Sequence, residues 1–292
     1  MKTIRIVAPA SPINRLTPAD FAKIKAAFSK WGYNAIWSDA VFQKDRFLAG
    51  SDAVRAQDIN AAFADVGVDA IVALKGGYGS PRLLDKIDYD AVRKNPKPFF
   101  GFSDITALQL ALYARAGLPS QTGFIANYAL KPLPPLLRRT LPSALKNEAQ
   151  TFARLKPMAG GRAQGILVGG TLTLIETLVG TPYLPDMRGK ILLLEDVGEE
   201  PYKIDRMLTH LRLAGVFNQI GGLVLGQWEK CVAKDKADGT IAAVLRDHFA
   251  RAPFPVIAGF PYGHAPDHVV VPIGAAAALD ADKGTLRIDA LR

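Results

Sequence analysis

Serine at the end of a short apolar run is the first residue type here that could do chemistry. Phe99-Phe-Gly-Phe-Ser103-Asp-Ile-Thr reads as a buried strand, a turn carrying Ser103, and the start of a helix. That placement puts a hydroxyl at the carboxyl edge of a sheet, where parallel sheets bind ligands. It also lets the backbone N–H of Asp104 face a developing oxyanion at a helix start. The pattern resembles a nucleophile elbow, but Ile105 stands where the last glycine of Gly-x-Ser-x-Gly would be. Ser103 or Asp104 acting only as a helix N-cap is the other reading of the same residues. A hydroxyl becomes a nucleophile when a base removes its proton and a third group holds that base. Two further segments offer these partners. Glu195 ends the apolar run Ile191-Leu-Leu-Leu, while Glu199 and Glu200, just before Pro201, read as compensation of a helix dipole. Gly259-Phe-Pro-Tyr-Gly-His264-Ala-Pro-Asp-His268 is a loop carrying two histidines. His264 is the candidate base and His268, at the start of the next strand, a structural residue. His210 and His248 fall in helix patterns and read as surface or packing residues.

A fourth segment, Lys75-Gly-Gly-Tyr-Gly79, follows a strand directly. Its glycines allow close backbone approach or positive φ, so it reads as an anion or oxyanion nest, or as an ordinary tight turn. It is neither Gly-x-Gly-x-x-Gly nor a Walker loop.

The elements that must position these groups alternate in the first part of the chain. Strands are expected at 3–8, 34–37, 69–74 and 98–102. Helices are expected at 18–31, after Thr17 as cap with Pro18 in the first turn, at 51–66 and at 104–116. That alternation predicts an α/β domain with a parallel sheet over about residues 1–125. Residues 126–164 are rich in proline and read as a linker with one helix near 135–148. A smaller mixed domain, 165–292, follows, carrying Glu195 and His264. Its expected strands are 165–168, 190–194, 221–225, 255–258, 268–272 and 285–290, with helices at 171–178, 201–214 and 238–251.

Composition narrows the function classes. The chain has 292 residues, 49% hydrophobic and 22% charged, which is ordinary for a globular protein. No apolar run is long enough for a membrane span, and the first residues read as a strand rather than a signal peptide. The net charge is +9, but the basic residues are scattered and form no stripe interleaved with aromatics, so nucleic acid is not the expected partner. One cysteine, Cys231, and four histidines give no cluster with metal-ligand spacing. No metal and no cofactor are therefore expected, and a reducing cytoplasm is the expected compartment.

Eight segments together carry a family resemblance: Ile6-Val-Ala-Pro-Ala-Ser, Lys75-Gly-Gly-Tyr-Gly, Gly101-Phe-Ser-Asp-Ile-Thr-Ala, Gly169-Gly-Thr-Leu, Gly180-Thr-Pro, Leu194-Glu-Asp-Val, Ile204-Asp-Arg-Met-Leu and Gly263-His. In their order and spacing the chain resembles the LD-carboxypeptidases, the serine peptidase family that also contains the microcin C self-immunity peptidases. The resemblance implies a triad of Ser103, Glu195 and His264, with the backbone N–H groups of Gly77 and Asp104 as the oxyanion site. It implies a flavodoxin-like or amidotransferase-like N-terminal domain followed by a swivelling β-barrel-like domain. The implied activity is hydrolysis of the LD bond between meso-diaminopimelate and terminal D-alanine in cytoplasmic murein tetrapeptides, by a homodimer without metal. Lys75, Gly76 and Tyr78 are the candidate substrate contacts, with Lys75 placed to meet the terminal carboxylate. Two residues depart from the family pattern. Lys75 stands where arginine is usual, losing the bidentate fork, and Thr171 stands where asparagine is frequent. Two alternatives stay open: a microcin-type amidase cleaving an aminoacyl-nucleotide mimic, and a non-catalytic muropeptide binder. The first would need an aromatic loop to stack on a base, and residues 171–190 hold no tryptophan.

Overall fold

The computed structural model describes residues 1–13 and 16–291. The first part runs β1 (Lys2–Val7), α1 (Pro18–Lys30), β2 (Tyr33–Trp37), α2 (Asp52–Ala64), β3 (Ala70–Ala73), α3 (Tyr89–Lys94), β4 (Phe99–Gly101), α4 (Thr106–Ala116) and β5 (Ser120–Thr122). The starts are set by local chemistry. Thr17 and Asp20 form a reciprocal capping box ahead of α1, with Pro18 in its first turn, and Ser51 accepts the Val54 N–H at the start of α2. Strands β2, β1, β3, β4 and β5 lie side by side in that order, and each neighbouring pair is parallel. The reversal of strand order falls between β1 and β3, the kind of place where open α/β sheets leave a crevice. β3 is buried at all four residues, which accounts for its unbroken apolar run.

The rest of the chain runs α5 (Pro135–Lys146), β6 (Gln150–Phe152), β7 (Lys156–Ala159), β8 (Arg162–Thr171), α6 (Leu172–Thr177), β9 (Ile191–Val197), α7 (Pro201–Leu213), β10 (Gly222–Glu229), α8 (Ile241–Phe249), β11 (Val256–Ala258), β12 (Val271–Ile273), β13 (Ala276–Asp280) and β14 (Thr285–Ile288). Eight of these strands form one mixed sheet in the order β6-β14-β13-β8-β9-β10-β11-β7, parallel from β8 to β11 and antiparallel outside. The sheet is open, with β6 and β7 as edges, rather than a closed barrel.

The strands divide the chain differently from the expected 1–125, 126–164 and 165–292. The stretch read as a linker supplies α5 and both edge strands of the second sheet. Strand β12, from the second half, returns to the first sheet and pairs antiparallel with β5. With eight strands against six, the second unit is not the smaller one by sheet. The two share a core: Phe99 and Leu108 belong to one continuous apolar cluster with Leu172, Ile175 and Leu192. Helix α4 packs against β8 and α6, so the helix that follows Ser103 is seated on the second unit.

Candidate active site

Ser103 begins a short 3-10 turn, Ser103–Ile105, between β4 and α4. Its φ is +65°, the left-handed region, which costs a non-glycine residue about 1–3 kcal/mol and persists where surroundings demand it. Neither it nor Asp104 caps the helix through its side chain. Ser103 Oγ instead lies 2.9 Å from His264 Nε2, and His264 Nδ1 lies 2.8 Å from Glu195 Oε2. The structure thus brings together the three residues singled out in the sequence, from β4, β9 and the loop after β11. Ser103 as a mere N-cap is set aside by this geometry.

Glu195 is fully buried. A buried carboxylate is tolerable when both oxygens are met. Oε2 faces His264, and Oε1 accepts from the Thr171 hydroxyl at 2.7 Å. The Thr171 N–H in turn donates to Thr106 Oγ1 at 3.2 Å, tying the end of β8 to the first residue of α4. That close approach requires glycine: a Cβ on Gly170, at φ +143°, would lie 2.6 Å from Thr106 Oγ1. In the tautomer whose Nδ1–H donates to Glu195, the imidazole would present Nε2 as a proton acceptor to the serine.

The glycine-rich loop lies against the serine. A Cβ on Gly76 would sit 2.9 Å from Ser103 Cβ and 3.2 Å from Oγ. The loop is held by the residue after Ser103: the Asp104 carboxylate accepts the N–H groups of Gly79 at 3.1 Å and Ser80 at 2.8 Å. Buried Arg55 donates to the carbonyls of Pro9 and Gly79 from the other side. Burial pushes the Asp104 carboxyl above its usual range, against the pull of the Ser80 and Gly79 donors and Arg55. Ser11 Oγ accepts the Tyr78 N–H at 3.0 Å, and Lys75 Nζ donates to the Pro12 carbonyl at 3.3 Å. The Tyr78 side chain is exposed and meets Phe47 edge-on.

The histidine loop is clamped by residues that the sequence did not single out. Gln227 Oε1 accepts the Ala265 N–H, and its Nε2 donates to the Asp267 carbonyl, both at 3.1 Å. Phe102 lies 4.6 Å from the His264 ring and stacks on His268 at 5.2 Å. His268 is buried, with Nδ1 3.1 Å from the Ala265 carbonyl and Nε2 3.0 Å from that of Gly123. Burial holds its pKa below the ordinary histidine value. A neutral ring has one N–H and can serve one of these carbonyls at a time. Gln227 offered no signal in the sequence, since a lone glutamine in a strand resembles any other. Thr171 stood out only as a departure from the family pattern. His210 and His248 pair with Glu176 and Asp205, away from this cluster. Glu199 pairs with Lys203 and Glu200 with Lys234, as residues flanking a helix start do. Among the described residues no group of three or more His, Cys, Asp or Glu side chains could hold a metal ion. No helix among them is long and apolar enough to cross a membrane.

Comparison with known proteins bears on this arrangement. The descriptions of the LD-carboxypeptidase N-terminal domain and C-terminal domain match residues 4–123 and 164–279. A protein of Bacillus subtilis named "Probable murein peptide carboxypeptidase" is 33% identical, over 99% of this chain and 92% of its own. A muramoyltetrapeptide carboxypeptidase from Oxalobacter formigenes superposes with a TM-score of 0.88 at 28% identity, covering 100% of this chain and 99% of that one. A microcin C7 self-immunity protein, solved with aspartyl sulfamoyl adenosine, has the same TM-score at 23% identity, over 99% and 96% of the two chains, and shares the fold.

Proposed function

The chain belongs to the LD-carboxypeptidase family, and on that premise we propose that it is a serine carboxypeptidase cleaving the LD bond between meso-diaminopimelate and the terminal D-alanine of murein tetrapeptides. The observation that carries this is the continuous hydrogen-bonded chain from Ser103 Oγ through His264 to the buried Glu195. In this reading His264 Nε2 takes the Ser103 proton as Oγ attacks the scissile carbonyl. The N–H groups of Gly77 and Asp104 meet the oxyanion, and placing such donors is worth about 10²–10³ in kcat each. His264 then passes the proton to the departing D-alanine amine, leaving the peptide acylated on Ser103. Water, deprotonated by the same ring, releases it. Glu195 holds the ring in the tautomer that makes this possible and stabilises the imidazolium between the two transfers. Lys75, Gly76 and Tyr78 remain the proposed contacts on the loop side of the serine.

We also read the first unit as flavodoxin-like, on its 2-1-3-4-5 strand order, and the protein as a cytoplasmic homodimer acting in recycling of cell-wall peptides. The direct test of the activity is mass spectrometry of a murein tetrapeptide incubated with the protein. One D-alanine should be released, and the all-L peptide should stay intact because inversion exchanges the methyl and carboxylate positions of the last residue. Cleavage of the all-L peptide at a comparable rate would contradict the LD assignment.

A further inference from the structure

A cavity of about 380 Å³ opens beside His264, between the histidine loop and the segment that follows β5. Its wall includes His264, Asn127, Tyr128, Lys131 and Pro266, and none of the glycine-loop residues 75–79. It therefore lies on the base side of the serine rather than on the oxyanion side. The side matters chemically. In acyl transfer by a serine and a histidine, the histidine hands its proton to the leaving amine, so the leaving group must rest beside the histidine. We propose that this cavity is the leaving-group subsite and that Lys131 binds the free carboxylate of the departing D-amino acid. The proposal rests on the carboxypeptidase reading above and refines it.

Charge and polarity fit that occupant. Lys131 is exposed at the cavity, and among the described residues no carboxylate pairs with it. The cavity wall contains Lys131 and no Asp or Glu, so an entering carboxylate would meet a cation and no carboxylate of the wall itself. Asn127 has a buried side-chain oxygen with no partner among the described residues. Its amide oxygen and nitrogen exchange by rotation, so the side chain can also offer N–H donors to a carboxylate. The remaining wall is largely proline and leucine, suited to an apolar side chain such as the alanine methyl. Lys75, the cation expected from the sequence to meet this carboxylate, already donates to the Pro12 carbonyl on the loop side.

The experiment measures kcat and KM for the tetrapeptide and for its C-terminal amide, with wild type, Lys131→Ala, Lys131→Arg and Lys75→Ala. For the acid, Lys131→Ala should raise KM about 10- to 100-fold, the scale of one hydrogen bond to a charged group, with kcat changed far less. Its preference for acid over amide should collapse by the same factor, and Lys131→Arg should restore most of it. Lys131 is exposed, so the variant should melt like wild type. Unchanged KM and preference in Lys131→Ala, with wild type active, would overturn the subsite and leave the carboxypeptidase reading standing. Collapse of the preference in Lys75→Ala alone would place the carboxylate on the loop side and overturn it too. A wild type that cleaves neither peptide would overturn the carboxypeptidase reading, and the subsite with it.

Discussion

His264 and His268 stand four positions apart in one loop, yet their surroundings assign them different work. His264 touches both Ser103 and Glu195, whereas His268 bonds only to backbone carbonyls, and its ring is stacked under Phe102. The sequence distinguishes their positions because one follows a glycine in the loop and the other precedes an extended run. His264→Ala should lower kcat about 10⁴-fold with little loss of stability. His268→Ala should lower kcat only about tenfold but cost about 2–4 kcal/mol of stability, from lost volume and an unpaired carbonyl. Because burial holds the His268 pKa below its unfolded value, the unfolded chain takes up a proton on this ring that the folded chain refuses. The neutral ring's share of stability is present above about pH 6.5 and is lost as pH falls below it. The groups around it are His264, which opposes protonation, and Glu195, which favours it, with Tyr128 packed alongside. Melting curves at pH 7.5 and 5.5 should therefore show a smaller acid-induced drop for His268→Gln than for wild type. Equal drops, or a greater kcat loss for His268→Ala than for His264→Ala, would contradict this division. Gln227 escaped notice, and Thr171 stood out only as a departure from the family pattern, because what each touches across the fold is recorded by no local pattern.

At the scale of elements, the site is a meeting of a strand end, a glycine loop and a clamped histidine loop. The strand–serine–helix order was legible because a buried parallel strand has an unbroken apolar run. The short strand β5 was not: Ser120, Gln121 and Thr122 are polar yet buried, and tertiary pairing with β4 and β12 overrides their composition. Strand β13 was missed for a similar reason, since its run of alanines has weak strand preference and is held by β8 and β14 on either side. The two edge strands β6 and β7 lay hidden in the proline-rich stretch, where edges tolerate proline. The glycine loop gives the element-scale prediction. Gly76→Ala would put a methyl 2.9 Å from Ser103 Cβ and 3.1 Å from the Phe102 carbonyl, so serine and loop must part. We expect kcat to fall about 10²-fold or more, while the melting temperature drops by only a few degrees because the strain is local. A kcat within threefold of wild type would mean that the loop is free to move and does not set the proposed oxyanion donor at Gly77.

Across the whole molecule, the candidate site depends on two sheets being joined. Ser103 belongs to the first unit, Glu195 and His264 to the second, and the shared core with β12 crossing back fixes their separation. The division into matched domains at 4–123 and 164–279 is real in sequence, and the first sheet keeps an apolar cluster of its own beneath α1, but its other face shares one continuous core with the second sheet. Each fully buried leucine or phenylalanine in that shared cluster contributes roughly 1.5–3 kcal/mol. The two units should consequently unfold together. Trp31 and Trp37 report on the first and Trp228 on the second. Variants keeping tryptophan in only one unit should melt with coincident transitions, each matched to its own far-ultraviolet signal, and separated midpoints would show independent domains. The central claim, that this assembly is a serine hydrolase of the LD bond, is tested most directly by quantifying D-alanine released from a murein tetrapeptide by wild type and Ser103→Ala. The account predicts release of the single terminal residue by wild type and a rate at least about 10⁴-fold lower for a folded Ser103→Ala. Release by Ser103→Ala at the wild-type rate, or an intact tetrapeptide after incubation with wild type, would contradict it.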